Sequence, residues 1–271
     1  MPQVLIIDDS RLAAMVVGKL LKVKGINCSH IQTVQDVFGL RGAPCKLREL
    51  SPDVILLDVM MPEMDGLDVL RKLKARNDTK DIPVIMLSAE SSASVVSEAM
   101  NRGAVGFLTK PVSQENLSAK LLEVAKAHSL EKLLRKLTGN LGSVRDTDLD
   151  HDHMKVGPAN LNFLLDILDG DQSMIGLMIT AFLESAPDQI ADIGKAIDAG
   201  DADKLKRTAH RFKGAVGNFG APHLTDKAQD LETLGASGSL ENAHLQFKTL
   251  AENAKTMCEA LQKWLNEHDV S

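Results

Sequence analysis

The chain has 271 residues, of which 44% are hydrophobic and 25% charged, and its formal net charge is −6. This profile is typical of a globular protein with one large or two ordinary domains, and the acidic balance argues against nucleic acid as the main partner. No apolar run approaches the ~20 residues that cross a bilayer, and the N-terminus lacks an export signal, so we expect a cytoplasmic protein without membrane insertion.

Short apolar runs alternate with amphipathic segments through the first 126 residues. Four continuous runs rich in β-branched residues are typical of strands buried on both faces of a parallel sheet: 4–7, 54–57, 84–87 and 105–108. Residues 26–31 are a weaker strand candidate. The helical segments between them are 11–24, 66–75 and 94–102. Five strands alternating with helices predict a doubly wound α/β domain over residues 1–126.

Two stretches depart from this alternation. Residues 36–50 contain Gly42 and Pro44 where a second helix is expected, so we predict that this helix is broken or displaced. Further on, leucines with helical spacing predict that the last helix extends past residue 126: Leu130, Leu133, Leu134 and Leu137. Their stripe is far shorter than three heptads, which favours local packing over a dimeric coiled coil. A Gly- and Asp-rich stretch follows, and we interpret 127–159 as a helix extension with a flexible acidic linker.

The second half of the chain has no convincing strand from Asn160 onward. The predicted helices cover 160–168, 172–198, 202–218, 222–235 and 239–266, separated by stretches where glycine, aspartate and serine concentrate. Pro187 is expected to kink or split the second of these helices. Long helices with short connections predict an all-α, four-helix-bundle domain over 160–271.

Polar side chains follow the predicted strands of the first domain at the points where the strands end. Asp8 and Asp9 follow the first strand, Asp58 the third, Ser88 the fourth and Lys110 the fifth. Because the carboxyl ends of parallel strands meet at one edge, we expect these groups to converge. Crowded carboxylates need a cation, and oxygen ligands favour Mg²⁺. A carboxylate beside Mg²⁺ can accept a phosphoryl group, whose other oxygens the lysine and serine would hold.

The first domain resembles a response-regulator receiver domain, which has a flavodoxin-like fold. The matching features are the Asp8–Asp9 pair, LLDVMMPEMDG at 56–66, Ser88, and TKP at 109–111. The resemblance implies that Asp58 is the phosphorylation site. It also implies that Mg²⁺ is surrounded by Asp8, Asp9, Asp58 and the Met60 carbonyl. Lys110 would contact the phosphoryl group, and the peptide between Lys110 and Pro111 would be cis. Ser88 and Phe107 would couple phosphorylation to a change of the surface.

The stretch AHRFKGAVGNFG, residues 209–220, places glycines beside a histidine on an amphipathic helix. His210, Lys213, Gly214 and Gly217 fall on one face at helical spacing. Glycine costs about 1 kcal/mol against alanine in a helix interior. Positions without side chains let another protein approach a surface imidazole, which is a competent phosphoryl acceptor near pH 7. The lysine could offset the charge of the added group.

Residues 160–266 resemble a histidine-phosphotransfer (HPt) domain. The resemblance implies that His210 is the phosphorylated histidine, with Lys213 as its supporting lysine and Gly214 as the adjacent glycine. The bare face around Gly214 and Gly217 is then a docking site for the acidic rim of a receiver.

These features favour a phosphorelay protein that moves phosphoryl groups between aspartate and histidine, at Asp58 and His210. The sequence does not fix the direction of transfer, nor whether transfer takes place within one chain or between chains. The sequence has no P-loop and no glycine-rich ATP lid, so we expect an acceptor and transfer protein rather than an enzyme. A sensor histidine kinase or other phosphodonor would supply the phosphoryl group, and another receiver or HPt protein would be a partner. A homodimer is compatible with the sequence but not required.

Two other functions are compatible with these residues. In the first, phosphorylation at Asp58 switches a protein-binding surface, and the HPt-like bundle is a scaffold that is not phosphorylated. A self-contained kinase is the second, and the missing ATP site disfavours it. Whether His210 accepts a phosphoryl group separates the relay from the binding module.

Overall fold

The computed structural model describes residues 1–38, 46–61, 65–89, 93–139, 155–168 and 172–268. The chain divides into two compact units, Met1–Asp146 and Thr147–Ser271. The narrower domain boundaries at residues 126 and 160 stay a prediction. Within the described ranges, every helix is too short or too polar to span a bilayer.

The first unit is built on five parallel strands: β1 (Gln3–Ile7), β2 (Asn27–Ile31), β3 (Val54–Asp58), β4 (Val84–Ser88) and β5 (Gly106–Thr109). Their order in the sheet is β2-β1-β3-β4-β5. Strands β3 and β4 are buried along their whole length, as expected for central strands covered by helices on both faces. The predicted doubly wound sheet is confirmed, including its weakest strand.

Seven helices of the described residues accompany this sheet: α1 (Arg11–Val23), α2 (Val34–Phe38), α3 (Lys46–Leu50), α4 (Gly66–Ala75), α5 (Ala93–Asn101), α6 (Gln114–Ala127) and α7 (Glu131–Gly139). Three of them begin at a residue whose side-chain oxygen accepts a backbone N–H of the first turn. These caps are Ser10, Asp65 and Ser113. The first two caps lie next to the carboxyl ends of β1 and β3, where they fix the paths of the chain.

The two irregular stretches of the first unit differ in outcome. In place of one second helix the structure has the short helices α2 and α3, while Gly42 and Pro44 lie outside the described residues. The extension past residue 126 is a separate helix, α7, because Ser129 adopts a left-handed conformation with φ of 53° and ends the helical path. Leu133 and Leu137 are buried, which confirms local packing of the leucine stripe.

The second unit is a helical bundle preceded by a small hairpin. Strands β6 (Lys155–Val156) and β7 (Ala159–Asn160) pair antiparallel. The helices are α8 (Asn162–Ile167), α9 (Gln172–Asp198), α10 (Ala202–Gly217), α11 (Pro222–Ser237) and α12 (Ala243–His268). Each of the four long helices packs against the next, and α12 returns to α9, so the bundle closes. Phe182, Phe212 and Phe219 fill its core.

One prediction for this unit was wrong in detail, and one of the two expected effects of Pro187 does not occur. The hairpin at 155–160 replaces the end of the predicted linker, because pairs of two residues carry no apolar alternation to signal a strand. Pro187 does not split α9, which is continuous from Gln172 to Asp198. The proline ring lies at an exposed position, and the packing of α9 against α10 and α12 outweighs one lost backbone hydrogen bond.

Candidate functional sites

Three carboxylates gather at the carboxyl edge of the sheet. Asp8 follows β1 directly, Asp58 ends β3, and these two strands are neighbours. One carboxylate oxygen from each of Asp8, Asp9 and Asp58 lies within 4.8 Å of the other two. Asp8 and Asp58 are only 1% and 3% exposed. Such a concentration of buried negative charge is costly unless cations offset it.

Lys110 is the cation that the fold itself supplies. Its Nζ lies 2.7 Å from Asp8 Oδ2, to which it donates a hydrogen bond, and 3.0 Å from Asp58 Oδ1. The second contact is an ion pair without hydrogen-bond geometry, so among the described residues Asp58 Oδ1 is a buried oxygen with no hydrogen-bond partner. The peptide between Lys110 and Pro111 is cis, as the resemblance implied.

The charges of this cluster are strongly coupled. Burial raises the pKa of Asp58, the Lys110 ammonium lowers it, and the charges of Asp8 and Asp9 raise it again, to about 8. Burial lowers the pKa of Lys110, but the charges of Asp58 and Asp8 outweigh burial and the net pKa is raised. The Lys110 ammonium therefore offsets burial and the neighbouring carboxylates only in part, and the pKa of Asp58 stays raised. A further cation at the cluster would lower it.

The backbone of Asp8 is held from the neighbouring strand. His30 Nε2 lies 2.7 Å from the Asp8 carbonyl oxygen. Because a carbonyl only accepts, Nε2 carries the proton of this hydrogen bond. The Asp8 N–H donates to the Ile31 carbonyl at 3.2 Å, and Asp8 Oδ1 accepts from the Ser10 N–H at 2.8 Å. These contacts fix where the first carboxylate points.

The chain after β3 approaches the start of α4 so closely that only glycine fits. A Cβ atom on Gly66 would stand 1.9 Å from the Asp58 carbonyl oxygen. The Gly66 N–H donates to the Val59 carbonyl at 2.7 Å. This contact holds the end of β3, and with it Asp58, against α4.

The remaining predicted residues of the first unit lie around the cluster. Ser88 ends β4, is 1% exposed, and its carbonyl accepts from the Lys110 N–H at 2.7 Å. Met60 and Phe107 are partly buried and pack against the hydrophobic core. The roles of the serine and of Phe107 in a switch, and of the Met60 carbonyl as a metal ligand, stay predictions.

In the second unit, His210 belongs to a buried charged triad. Its Nδ1 lies 2.8 Å from Glu232 Oε1, on the neighbouring helix α11. Lys213 Nζ donates to Glu232 Oε2 at 2.6 Å and to Gln229 Oε1 at 2.8 Å. His210 is 5% exposed and Lys213 6%. The imidazole is thus more buried than a surface position implies, because the contact with Glu232 draws it toward α11.

The triad determines which nitrogen of His210 is free. Burial raises the pKa of Glu232, but the hydrogen bonds and charges of His210 and Lys213 outweigh burial, and the net pKa is lowered. An ionised carboxylate only accepts, so Nδ1 carries the proton of this hydrogen bond, and in the neutral form of the imidazole the lone pair lies on Nε2. Nε2 makes no hydrogen bond within the described part of the chain. It is also absent from the side-chain atoms that are both buried and without a hydrogen-bond partner, so it is accessible to solvent.

Two glycines leave the helix surface beside this nitrogen bare. A Cβ atom at Gly214 or Gly217 would meet nothing within 4 Å. At Gly235, in contrast, a Cβ would stand 2.5 Å from the backbone nitrogen of Lys206. The packing of α10 against α11 therefore requires Gly235, whereas nothing within the described part of this unit requires the two glycines of α10.

Comparison with known proteins identifies both domains of the chain. Residues 4–122 match the family model of the response regulator receiver domain, and residues 177–266 match that of the Hpt domain. The chain is 31% identical over 117 residues to the two-component response regulator ORR3 of Oryza sativa subsp. indica, and covers 86% of it. The chain belongs to the response regulators. It joins a receiver to an HPt domain, the two modules of phosphorelay signalling.

Other relatives share the receiver alone or little more. The chain is 36% identical to a protein-glutamate methylesterase/protein-glutamine glutaminase of Treponema denticola over 48% of its own length, but covers only 36% of that protein. The chemotaxis protein CheY4 of Vibrio cholerae is 29% identical, with a TM-score of 0.42, over 46% of this chain and 98% of CheY4. This chain thus spans about a third of the length of that methylesterase/glutaminase.

Two residues of these sites escaped sequence reasoning. Glu232 lies on the apolar stripe of α11 formed by Leu224, Ala228 and Gly235, and an acidic residue at an inward position was a signal of a buried partner. His30 of the receiver gave no such signal, because its contact is with a backbone carbonyl of another strand.

Proposed function

We propose that this response regulator is a phosphorelay protein with two phosphoryl stations. Asp58 accepts a phosphoryl group in a Mg²⁺-dependent reaction, and His210 accepts one from, or donates one to, a receiver aspartate of its own chain or of a partner. The observation that carries the proposal is the state of His210, with Nδ1 bound to Glu232 and Nε2 unpaired.

At Asp58, the carboxylate oxygen attacks the phosphorus of a donor phosphohistidine, and the bond from phosphorus to the donor nitrogen breaks with its electron pair left on nitrogen. Asp8, Asp9 and Asp58 fit Mg²⁺, because they offer gathered oxygen ligands and a buried oxygen that accepts no hydrogen bond among the described residues. A bound Mg²⁺ would offset the charge of the carboxylates and of the transferring oxygens. Lys110, already at the cluster, would hold a phosphoryl oxygen.

At His210, the Nε2 lone pair attacks the phosphorus of a receiver aspartyl phosphate. The bond from phosphorus to the carboxylate oxygen breaks, and its electron pair returns to the aspartate. The imidazole gains positive charge, which Glu232 stabilises through the Nδ1 proton without taking part in bond making. Donation from His210 is the reverse of these steps. Glu232 is thus a positioning residue, and Lys213 offsets the charge of the carboxylate and of the phosphoryl group.

The partners follow from these two stations. Receiver and HPt domains imply histidine kinases or other receiver and HPt proteins as phosphorelay partners. A sensor histidine kinase or another phosphodonor supplies the group, because the proposed chemistry at Asp58 and His210 moves phosphoryl without generating it from ATP.

A labelling experiment tests the proposal. The full chain and its Asp58→Asn and His210→Asn variants are treated with Mg²⁺ and labelled phosphoramidate, a small donor that needs no docking, and labelled residues are mapped by mass spectrometry. We expect the Asp58→Asn variant to carry label only at His210 and the His210→Asn variant to carry label only at Asp58. The Asp58 label should be lost when a chelator removes Mg²⁺. An unlabelled His210 in every chain would support the binding-module alternative instead.

A further inference from the structure

The two units of the chain differ sharply in charge. Residues 1–146 hold 20 lysines and arginines against 17 acidic residues, a net charge of +3. Residues 147–271 hold 11 against 20, a net charge of −9, and together these give the −6 of the whole chain. The HPt unit is therefore acidic and the receiver unit slightly basic.

The helix that carries His210 reverses the charge of its own unit. Helix α10 holds five of the eleven cations of the HPt unit in 16 residues, against the single acid Asp203. They are Lys204, Lys206, Arg207, Arg211 and Lys213. The receiver shows the opposite reversal, since its functional edge gathers Asp8, Asp9 and Asp58 around one lysine. Each functional surface has the sign that attracts the other.

Arg207 is the exposed cation of α10 that lies on the same face of the helix as His210. Arg211 pairs with Asp192 and Lys213 with Glu232. Arg207 is exposed and forms no ion pair within the described part of the chain. It lies one turn before His210, and at 100° per residue it shares an arc of about 80° with His210 and the two bare glycines.

We propose that Arg207 is a docking residue that recognises the acidic rim of a receiver presented by a second copy of this chain. This inference rests on the proposed function of His210 and adds the partner surface. The receiver of this chain fits such a partner in two ways. Its net charge is opposite in sign to that of the HPt unit, and its carboxylate cluster is opposite in sign to the cations of α10. The guanidinium pairs with rim carboxylates, steers encounter and orients the pocket over Nε2, and does not touch the transferring phosphoryl group.

Transfer between two full-length variants tests this role. The donor is the His210→Asn chain labelled at Asp58, and the acceptor is the Asp58→Asn chain, so only transfer between molecules is seen. We expect Arg207→Glu in the acceptor to slow transfer about tenfold at low salt and to flatten its dependence on ionic strength, since rim charges act mainly on association. The matched control is Lys248→Glu, an equal charge change at an exposed position on α12, which packs against α9 and α11.

Labelling of the acceptor by phosphoramidate separates this inference from the proposed function, because a small donor does not dock. We expect Arg207→Glu to leave that labelling unchanged. Equal rates for Arg207→Glu and the unmodified acceptor, equal slowing by Lys248→Glu, or no transfer between copies at any salt concentration would each overturn the docking role. Loss of phosphoramidate labelling at His210 in the unmodified acceptor would instead overturn the proposed function.

Discussion

Replacing both glycines beside His210 by alanine should make the HPt domain more stable and the relay slower. Neither Cβ meets an atom within 4 Å, so the methyl groups create no clash in the domain itself. Alanine is favoured over glycine in a helix by roughly 0.5–1 kcal/mol, so Gly214→Ala with Gly217→Ala should add about 1–2 kcal/mol to the free energy of unfolding. The same methyl groups occupy the bare face that we propose a receiver needs.

The fluorescence of the single tryptophan reports on unfolding of the HPt domain alone. Trp264 lies in α12, is 4% exposed, and stacks on His268, and the receiver has no tryptophan. With a urea dependence of about 2 kcal/mol per molar, the midpoint followed by Trp264 fluorescence should rise by roughly 0.5–1 M. Transfer from a labelled receiver to His210 should fall about tenfold or more, because small displacements of reacting groups are costly.

A third variant provides the control for these two readings. Gly235→Ala places a methyl group 2.5 Å from a backbone nitrogen and should lower stability by about 1–3 kcal/mol. A lower stability of the domain with the two alanines on α10 would show that the methyl groups do clash there. The reasoning is refuted if they raise stability and leave transfer from the receiver unchanged.

Three further predictions concern single residues. Glu232→Gln leaves Lys213 without a buried counter-charge, so the free energy of unfolding of the HPt domain should fall by about 1–3 kcal/mol. In the same variant, ¹⁵N NMR should show His210 as a mixture of tautomers instead of the single form with Nε2 unprotonated. A single unchanged tautomer would contradict the role of the carboxylate. Because the pKa of Asp58 is raised in the folded state, stability of the receiver should fall as the pH rises from about 4 to about 8. Urea unfolding followed by circular dichroism should show that Asp58→Asn removes this fall, and an identical pH profile in both proteins counts against it. His30→Ala should weaken Mg²⁺ binding to the receiver several-fold in calorimetry, because the Asp8 backbone loses its hydrogen bond, whereas unchanged affinity means that the contact is only structural.

Much of this architecture could be predicted because the chemistry follows directly from strand ends and helical spacing. Asp8, Asp58 and Lys110 converge because parallel strands end at one edge, and the continuous apolar runs identified those strands. The apolar periodicity of α10 likewise located His210 and its glycines on one side of a helix. In both cases local sequence and overall fold agree.

What could not be predicted depends on contacts between distant segments. Glu232 meets His210 across two helices, 22 positions away in sequence, and the depth at which the imidazole sits follows from that meeting. The break between α6 and α7 depends on the conformation of a single serine, Ser129. The hairpin at 155–160 has pairs too short to produce a periodic signal, although the Asn160 N–H donates to the Phe219 carbonyl at 2.9 Å and so ties the hairpin to the bundle.

The most direct test follows the phosphoryl group when the His210→Asn chain, labelled at Asp58, is mixed with the Asp58→Asn chain, which keeps His210. Followed by ³¹P NMR, the aspartyl phosphate signal should decay as an Nε2-phosphohistidine signal grows, and mass spectrometry should place that signal on His210. Decay of the first signal into inorganic phosphate alone, or a phosphohistidine linked through Nδ1, would contradict the account.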